Sequence, residues 1–250
     1  MCLLLFSSHQ SLANITLTYQ SEQGSQTFQL KNNQVFTKNI DQGIDLLFDQ
    51  NRNHMIVIQH DKQSYSIVNE AELERLNQQL NGLQSALTSN LSSEQRDQLN
   101  QFLGGALGSG ETKKISNYSL QDAGAAQVGA FFCQQNFILE NGKNIGALCT
   151  ASNPQLKISQ ADYTTLMAFQ KFSVNAANTM RDTLGSMLDI KLPDLSKTPI
   201  NQLIIFSKIN DEKDANFYLS NIDSKPINEN FTIPNNYRQE SLVSASSLIR

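Results

Sequence analysis

Residues 128–152, VGAFFCQQNFILENGKNIGALCTAS, constrain the fold more than any other stretch of the chain. β-prone residues flank Glu140-Asn141-Gly142-Lys143, and Asn-Gly is the dipeptide that a two-residue hairpin turn favours, because both central positions need positive φ. Folding the strands back about this turn places Cys133 opposite residue 149 or 150, depending on loop length. Cys133 and Cys149 then meet across the hairpin, or nearly so. A bridge between them closes a loop of roughly 15 residues and contributes about 3 kcal/mol in the chain-entropy model. The alternative is two buried reduced thiols, as a cytosolic chain would keep them.

The N-terminus bears on that choice. Residues 1–13, MCLLLFSSHQSLA, carry an apolar run from Cys2 to Phe6 and end in Ser11-Leu12-Ala13, the small-x-small pattern of a signal-peptidase site before Asn14. The run is short and no Lys or Arg precedes it. The expectation is therefore a truncated signal peptide over 1–13, followed by one domain over 14–250. Cleavage discards Cys2 and leaves Cys133 and Cys149 as an even pair, which favours the bridge and a periplasmic or secreted location. The competing expectation is a disordered cytosolic N-terminus.

Along the rest of the chain the hydrophobic period changes in blocks. From Ile15 to Val68 it is two: Ile15, Leu17 and Tyr19 alternate with Thr16 and Thr18, and turns at 31–34, 49–53 and 60–63 separate further strands, giving an antiparallel meander of about six. At Asn69 it becomes helical. Asn69 and Glu72 form a capping box, and Leu73, Leu76, Leu80, Leu83, Leu87 and Leu91 stripe one face. A second helix starts at Ser92, so 69–107 reads as a helical insertion that ends in a glycine-rich linker over 104–110. Strands resume at 115–120, run through the cysteine hairpin and stop at Asn153-Pro154. Ser159 and Asp162 cap a long helix with a broad apolar side, and strands return at 203–209 and 217–222. The class is α+β, an antiparallel sheet with helices on one side.

Composition narrows the function. The chain carries 19 basic and 23 acidic residues, a net charge of -4, and the cations are scattered, which argues against nucleic acid as a partner. No run approaches the roughly 20 apolar residues of a membrane span. Polarity comes from 26 Asn and 25 Gln, spread evenly and interleaved with periodic apolar residues. The glycine stretch 104–110 lacks the Lys of a phosphate loop and leaves a helix instead of opening one. His54 and His60 share a strand but lie roughly 20 Å apart, too far to ligate one metal; they read as solvated turn histidines. No nucleophile frame is present, and Ser64, His60 and Asp61 sit together only as turn residues do. No catalytic, cofactor or metal residue is assigned, and the chain is expected not to be an enzyme.

Three patterns carry a resemblance: MIVIQHDKQSYSIVNEAELERL; the cysteine hairpin followed by ISQADY; and INENFTIPNNYRQESL, with Phe231, Pro234 and Tyr237 in an F-x-x-P-x-x-Y finish. Together with the element order, they resemble an uncharacterised family of exported bacterial proteins related in fold to the periplasmic outer-membrane lipoprotein carriers. The resemblance implies a curved, half-open antiparallel sheet wrapped like a glove around helices on its concave side, with an apolar cavity between. The helices of 69–107 are an insertion relative to the carriers.

The leading expectation is thus a non-enzymatic periplasmic binding or carrier protein for a hydrophobic ligand, a lipid or an acylated protein. Its cavity would be lined by Leu166, Phe169, Met180 and Leu184, which equally well read as plain core. The second reading is an interaction or assembly factor whose leucine-striped helices dock a partner protein or a second copy. A hydrolase with an unframed site is a distant third.

Overall fold

The computed structural model describes residues 14–39, 43–89, 117–188, 200–210 and 212–241. The second helix, the glycine linker and Leu91 lie outside them. Two antiparallel meanders form one sheet. The first comprises β1 (Ile15–Ser21), β2 (Gly24–Lys31), β3 (Gln34–Asn39), β4 (Ile44–Asp49), β5 (His54–Gln59) and β6 (Ser64–Val68); the second comprises β7 (Tyr118–Val128), β8 (Phe131–Glu140), β9 (Lys143–Ala151), β10 (Leu203–Ile209) and β11 (Glu212–Asp223). Pairing of β1 with β11 joins them, and β12 (Arg238–Gln239) adds to the β6 edge in parallel. The order β12-β6-β5-β4-β3-β2-β1-β11-β10-β9-β8-β7 is unclosed. Helix α1 (Glu70–Ser89) follows β6, and α2 (Asn153–Leu156) and α3 (Gln160–Leu188) separate β9 from β10. The expected α+β class with an open, mostly antiparallel sheet is what forms.

The amide-rich composition has a local explanation in the turns. Asn32 (φ 54°) and Asn33 (φ 61°) make the two-residue turn between β2 and β3, and Asn53 (φ 48°) ends the β4–β5 turn. Asn tolerates this left-handed region better than other non-glycine residues. The cysteine hairpin turns on Asn141 (φ 50°) and Gly142 (φ 81°), with Glu140 paired to Lys143. Its register differs from the expected one. A shift between Ile138 and Leu139 sets Gln135 against Cys149 and Gln134 against Thr150, so Cys133 faces neither 149 nor 150 directly. The disulfide joins Cys133 and Cys149 along a diagonal, with Cα atoms 5.7 Å apart. Side chains two residues apart on a strand share a face, and strand twist brings one diagonal close.

The second meander holds a further difference: β7 reaches Val128 instead of stopping at Leu120. Its Ala, Gly and Gln residues have little strand propensity, and pairing with β8 along the whole length imposes the conformation. Gly124 (φ 87°) accommodates the irregularity beside Asp122.

The sheet carries apolar residues on both faces. On one, Leu17, Leu30, Val35, Phe48, the β10 residues Leu203 and Ile205, and both cysteines form a cluster joined by Leu73 of α1, Leu156 of α2 and Leu166 and Phe172 of α3. On the other face of β3–β6, the segment after β11 runs as a strap, and its Ile227 and Phe231 cover Phe36, Leu47, Ile56 and Ile58. The strap reads locally as polar loop. A smaller cluster of Ile138, Leu148 and Ile209 lies elsewhere in the second meander.

The sheet also rolls. In a flat sheet with strands about 4.8 Å apart, β7 would lie roughly 19 Å from β11, four strands away. Yet β7 and β11 are in contact, and a Cβ on Gly129, in the β7–β8 turn, would stand 3.9 Å from the Leu219 carbonyl oxygen. Large twisted sheets curl in this way. Ala126, Val128 and Phe131 of the rolled end pack on the same cluster that holds the helices.

Candidate functional site

The first turn of α1 is fixed by Asn69, whose Oδ1 accepts the Glu72 N–H at 2.9 Å. This cap sets the helix phase: Leu73 and Leu76 are buried, while Glu70 and Glu74 are exposed. The side chains of Leu80, Leu83 and Leu87 lie outside the described residues. The leucine stripe is therefore buried as far as it is described.

Helix α3 opens on Ser159, which accepts the Asp162 N–H at 3.0 Å and donates its hydroxyl to the Asp162 carboxylate at 2.6 Å. Burial pushes that carboxyl above its ordinary range, and the serine hydroxyl acts against the shift. One turn on, the Thr165 hydroxyl donates to Gln50 Oε1 at 2.7 Å, tying α3 to the β4–β5 turn. Gln170 docks the helix on β10 with both ends of its amide: Nε2 donates to the Gln202 carbonyl at 3.1 Å and Oε1 accepts the Ile204 N–H at 2.8 Å. The ladder between β10 and β9 shifts just after Ile204. Nothing in the local sequence marks Gln170 for this role.

Of the four residues expected to line a cavity, Leu166 is buried and Phe169 is half-buried. The Phe169 ring lies 5.7 Å from Phe28 and 5.6 Å from Phe48, and Phe172 lies 5.5 Å from Phe48. The side chains of Met180 and Leu184 lie outside the described residues.

Between α1 and α3 a cleft of about 440 Å³ opens, within the range of small-molecule sites. Its apolar lining is Leu73, Ala168 and Phe172. Glu70 and Glu74 contribute from α1, Lys171, Asn175, Asn178 and Thr179 from α3, and Asn53 from the β4–β5 turn. Sequence reasoning missed it, because residues about a hundred positions apart each read as an ordinary solvated helix face. The only available signal was the pair of helix caps, which fixes which side of each helix is wet.

Of the two histidines expected in solvated turns, His60 does sit in an exposed turn, and His54 does not. His54 is buried on β5, its Nε2 has no hydrogen-bond partner among the described residues, and burial lowers its pKa from the usual 6.5. His60 is held from two sides: Nε2 is 3.0 Å from Asp45 Oδ2 and Nδ1 is 2.8 Å from the Tyr237 hydroxyl. Tyr237 arrives on the strap, which explains why a residue that reads as a solvated turn is engaged. Both ring nitrogens of His60 are thus occupied by groups other than Ser64 and Asp61. Among the described residues no three His, Cys, Asp or Glu side chains converge as a metal site, and no helix is long and apolar enough to cross a membrane.

No family model matches the chain, and no curated protein matches it.

Proposed function

We propose that this protein is a non-enzymatic binding or carrier protein of the periplasm or the extracellular space, with a hydrophobic ligand, a lipid or an acylated protein, as cargo. The observation that carries the reading is the unclosed sheet, rolled at its β7 end, with α1, α2 and α3 gathered in one cluster against one face. In this reading the sheet is a half-open glove like that of the lipoprotein carriers, and the helices lie toward its concavity. The Cys133–Cys149 disulfide supports the exported location, since oxidising compartments are where such bridges persist.

In this reading an acyl chain enters along the apolar side of α3, where Leu166 and Phe169 lie. Entry displaces Phe169 from Phe28 and Phe48. The chain contains no tryptophan, so Phe169→Trp supplies a lone fluorescent reporter. Titration of that variant with a medium-chain fatty acid is expected to give a saturable shift in emission at one ligand per chain. A flat response, together with no binding of the acid to the unmodified protein by equilibrium dialysis, contradicts the reading.

A further inference from the structure

Three pairs of opposite charges on the surface of this protein close on each other. Lys38 meets Glu229 at 2.8 Å, Lys225 meets Asp223 at 2.9 Å and Arg238 meets Glu240 at 2.7 Å. The α1–α3 cleft brings opposite charges to facing helices without such a pair. Glu70 and Glu74 line it from one helix and Lys171 and Asn175 from the other, all exposed. Among the described residues, neither carboxylate forms an ion pair with the Lys171 ammonium, although long lysine side chains readily swing to a partner.

The spacing makes the separation systematic. Residues four apart stack on one helix face, so Glu70 and Glu74 form an acidic wall, and Lys171 and Asn175 form a wall with one cation and one amide. Beneath them Leu73 and Phe172 are buried. A purely anionic ligand in this space would face two carboxylates, and a purely cationic one would face the ammonium. A group with both signs, separated by a short linker, satisfies both walls, and charge-assisted hydrogen bonds are the strong ones.

We propose that the α1–α3 cleft recognises a zwitterionic group, its ammonium held by Glu70 and Glu74 and its anion by Lys171 with Asn175. Such chemistry belongs both to the headgroup of an ammonium-bearing phospholipid and to a free phosphoethanolamine. The inference deepens the carrier reading and rests on it for the choice between them: the headgroup sits in the cleft and the tail follows the apolar side of α3.

The test is calorimetric titration of the whole protein, below micelle-forming concentrations, with three probes. These are a short-chain lysophosphatidylethanolamine, the lysophosphatidylglycerol of the same chain length, and O-phosphoethanolamine. The ethanolamine lipid is expected to bind about tenfold more tightly than the glycerol lipid, the scale of one charge-assisted contact. The E70Q/E74Q double variant should abolish that preference, and Lys171→Met should weaken both lipids. All three positions are exposed, so circular dichroism should show these variants folded. Equal affinity for the two lipids, unmoved by E70Q/E74Q, overturns the zwitterion site and leaves the carrier reading standing. Binding of O-phosphoethanolamine alone, lost in E70Q/E74Q, upholds the site and removes the lipid as its source. Binding of none of the three overturns both.

Discussion

The ring of Phe231 lies on that of Phe36 with centroids 4.8 Å apart and planes 22° from parallel. Nearly 200 residues separate the two in sequence, and their contact is the centre of the strap that covers β3–β6. Lys31 reinforces it by donating to the Ile227 and Glu229 carbonyls at 3.1 and 3.3 Å, and Lys38 pairs with Glu229. Phe231→Ala is expected to destabilise the protein by about 3 kcal/mol, in the range of large-to-small core changes. Urea unfolding measures the loss, and binding of a hydrophobic dye to the folded variant reports the uncovered Phe36 face.

At the end of the strap, the Tyr237 hydroxyl and the Asp45 carboxylate hold His60 between them. Tyr237→Phe should cost about 1 kcal/mol, the net worth of one hydrogen bond. A double-mutant cycle with His60→Gln separates this bond from the packing of the tyrosine ring. Little or no coupling between the two positions would show that the bond does not anchor the strap.

Gly146 of β9 pairs with Ile209 of β10. A Cβ there would stand 2.3 Å from the Lys208 carbonyl oxygen and 3.0 Å from the Ile209 Cα, both backbone atoms that no rotamer change can move aside. Gly146→Ala is therefore expected to cost about 3 kcal/mol, the upper end of ordinary overpacking. Thermal unfolding checks it. A melting temperature equal to the parent's would mean that the two strands separate easily at this point.

The disulfide joins residues 16 apart in sequence and stabilises mainly by restricting the unfolded chain. Cys133→Ser/Cys149→Ser should lower stability by about 3 kcal/mol. Reductant should lower the melting temperature of the parent and leave that of the double variant unchanged.

Much of this fold was legible because its punctuation is local. Asn32-Asn33 and Asn141-Gly142 mark turns by their tolerance of positive φ, and Asn69 and Ser159 mark helix starts through bonds made within three residues. The joining of β1 to β11 was not legible, since it matches Leu17 with Ile222 across the whole chain and no local signal chooses that partner. The strap was hidden for the same reason: Ile227 and Phe231 are isolated apolar residues among polar ones, and only the face of β3–β6 gives them meaning. The Cys133–Cys149 pairing was anticipated and its register was not, because a ladder irregularity at Ile138 and Leu139 shifts the partners by one. The cleft needed two helices from distant parts of the chain to be brought side by side.

Acid should weaken the fold through His54. Its pKa lies below the ordinary 6.5 because burial disfavours the charged ring; the Asp49 carboxylate opposes that shift, and Arg52 adds to it. Near pH 6.5 the unfolded chain therefore binds more protons at this position than the native one. Its effect on stability is absent above about pH 7, grows as pH falls through 6.5, and levels off below the folded-state pKa. Urea midpoints between pH 8 and pH 5 should fall for the parent, and fall less for a His54→Gln variant. Parallel curves for the two proteins would contradict the assignment.

The most direct test of the proposed carrier reading is native mass spectrometry of the protein purified without detergent, before and after incubation with membrane lipids. The expected result is a chain lighter by the two hydrogens of the Cys133–Cys149 bridge, carrying a lipid-mass adduct that organic extraction removes. A chain that stays free of ligand under both conditions would contradict a binding function.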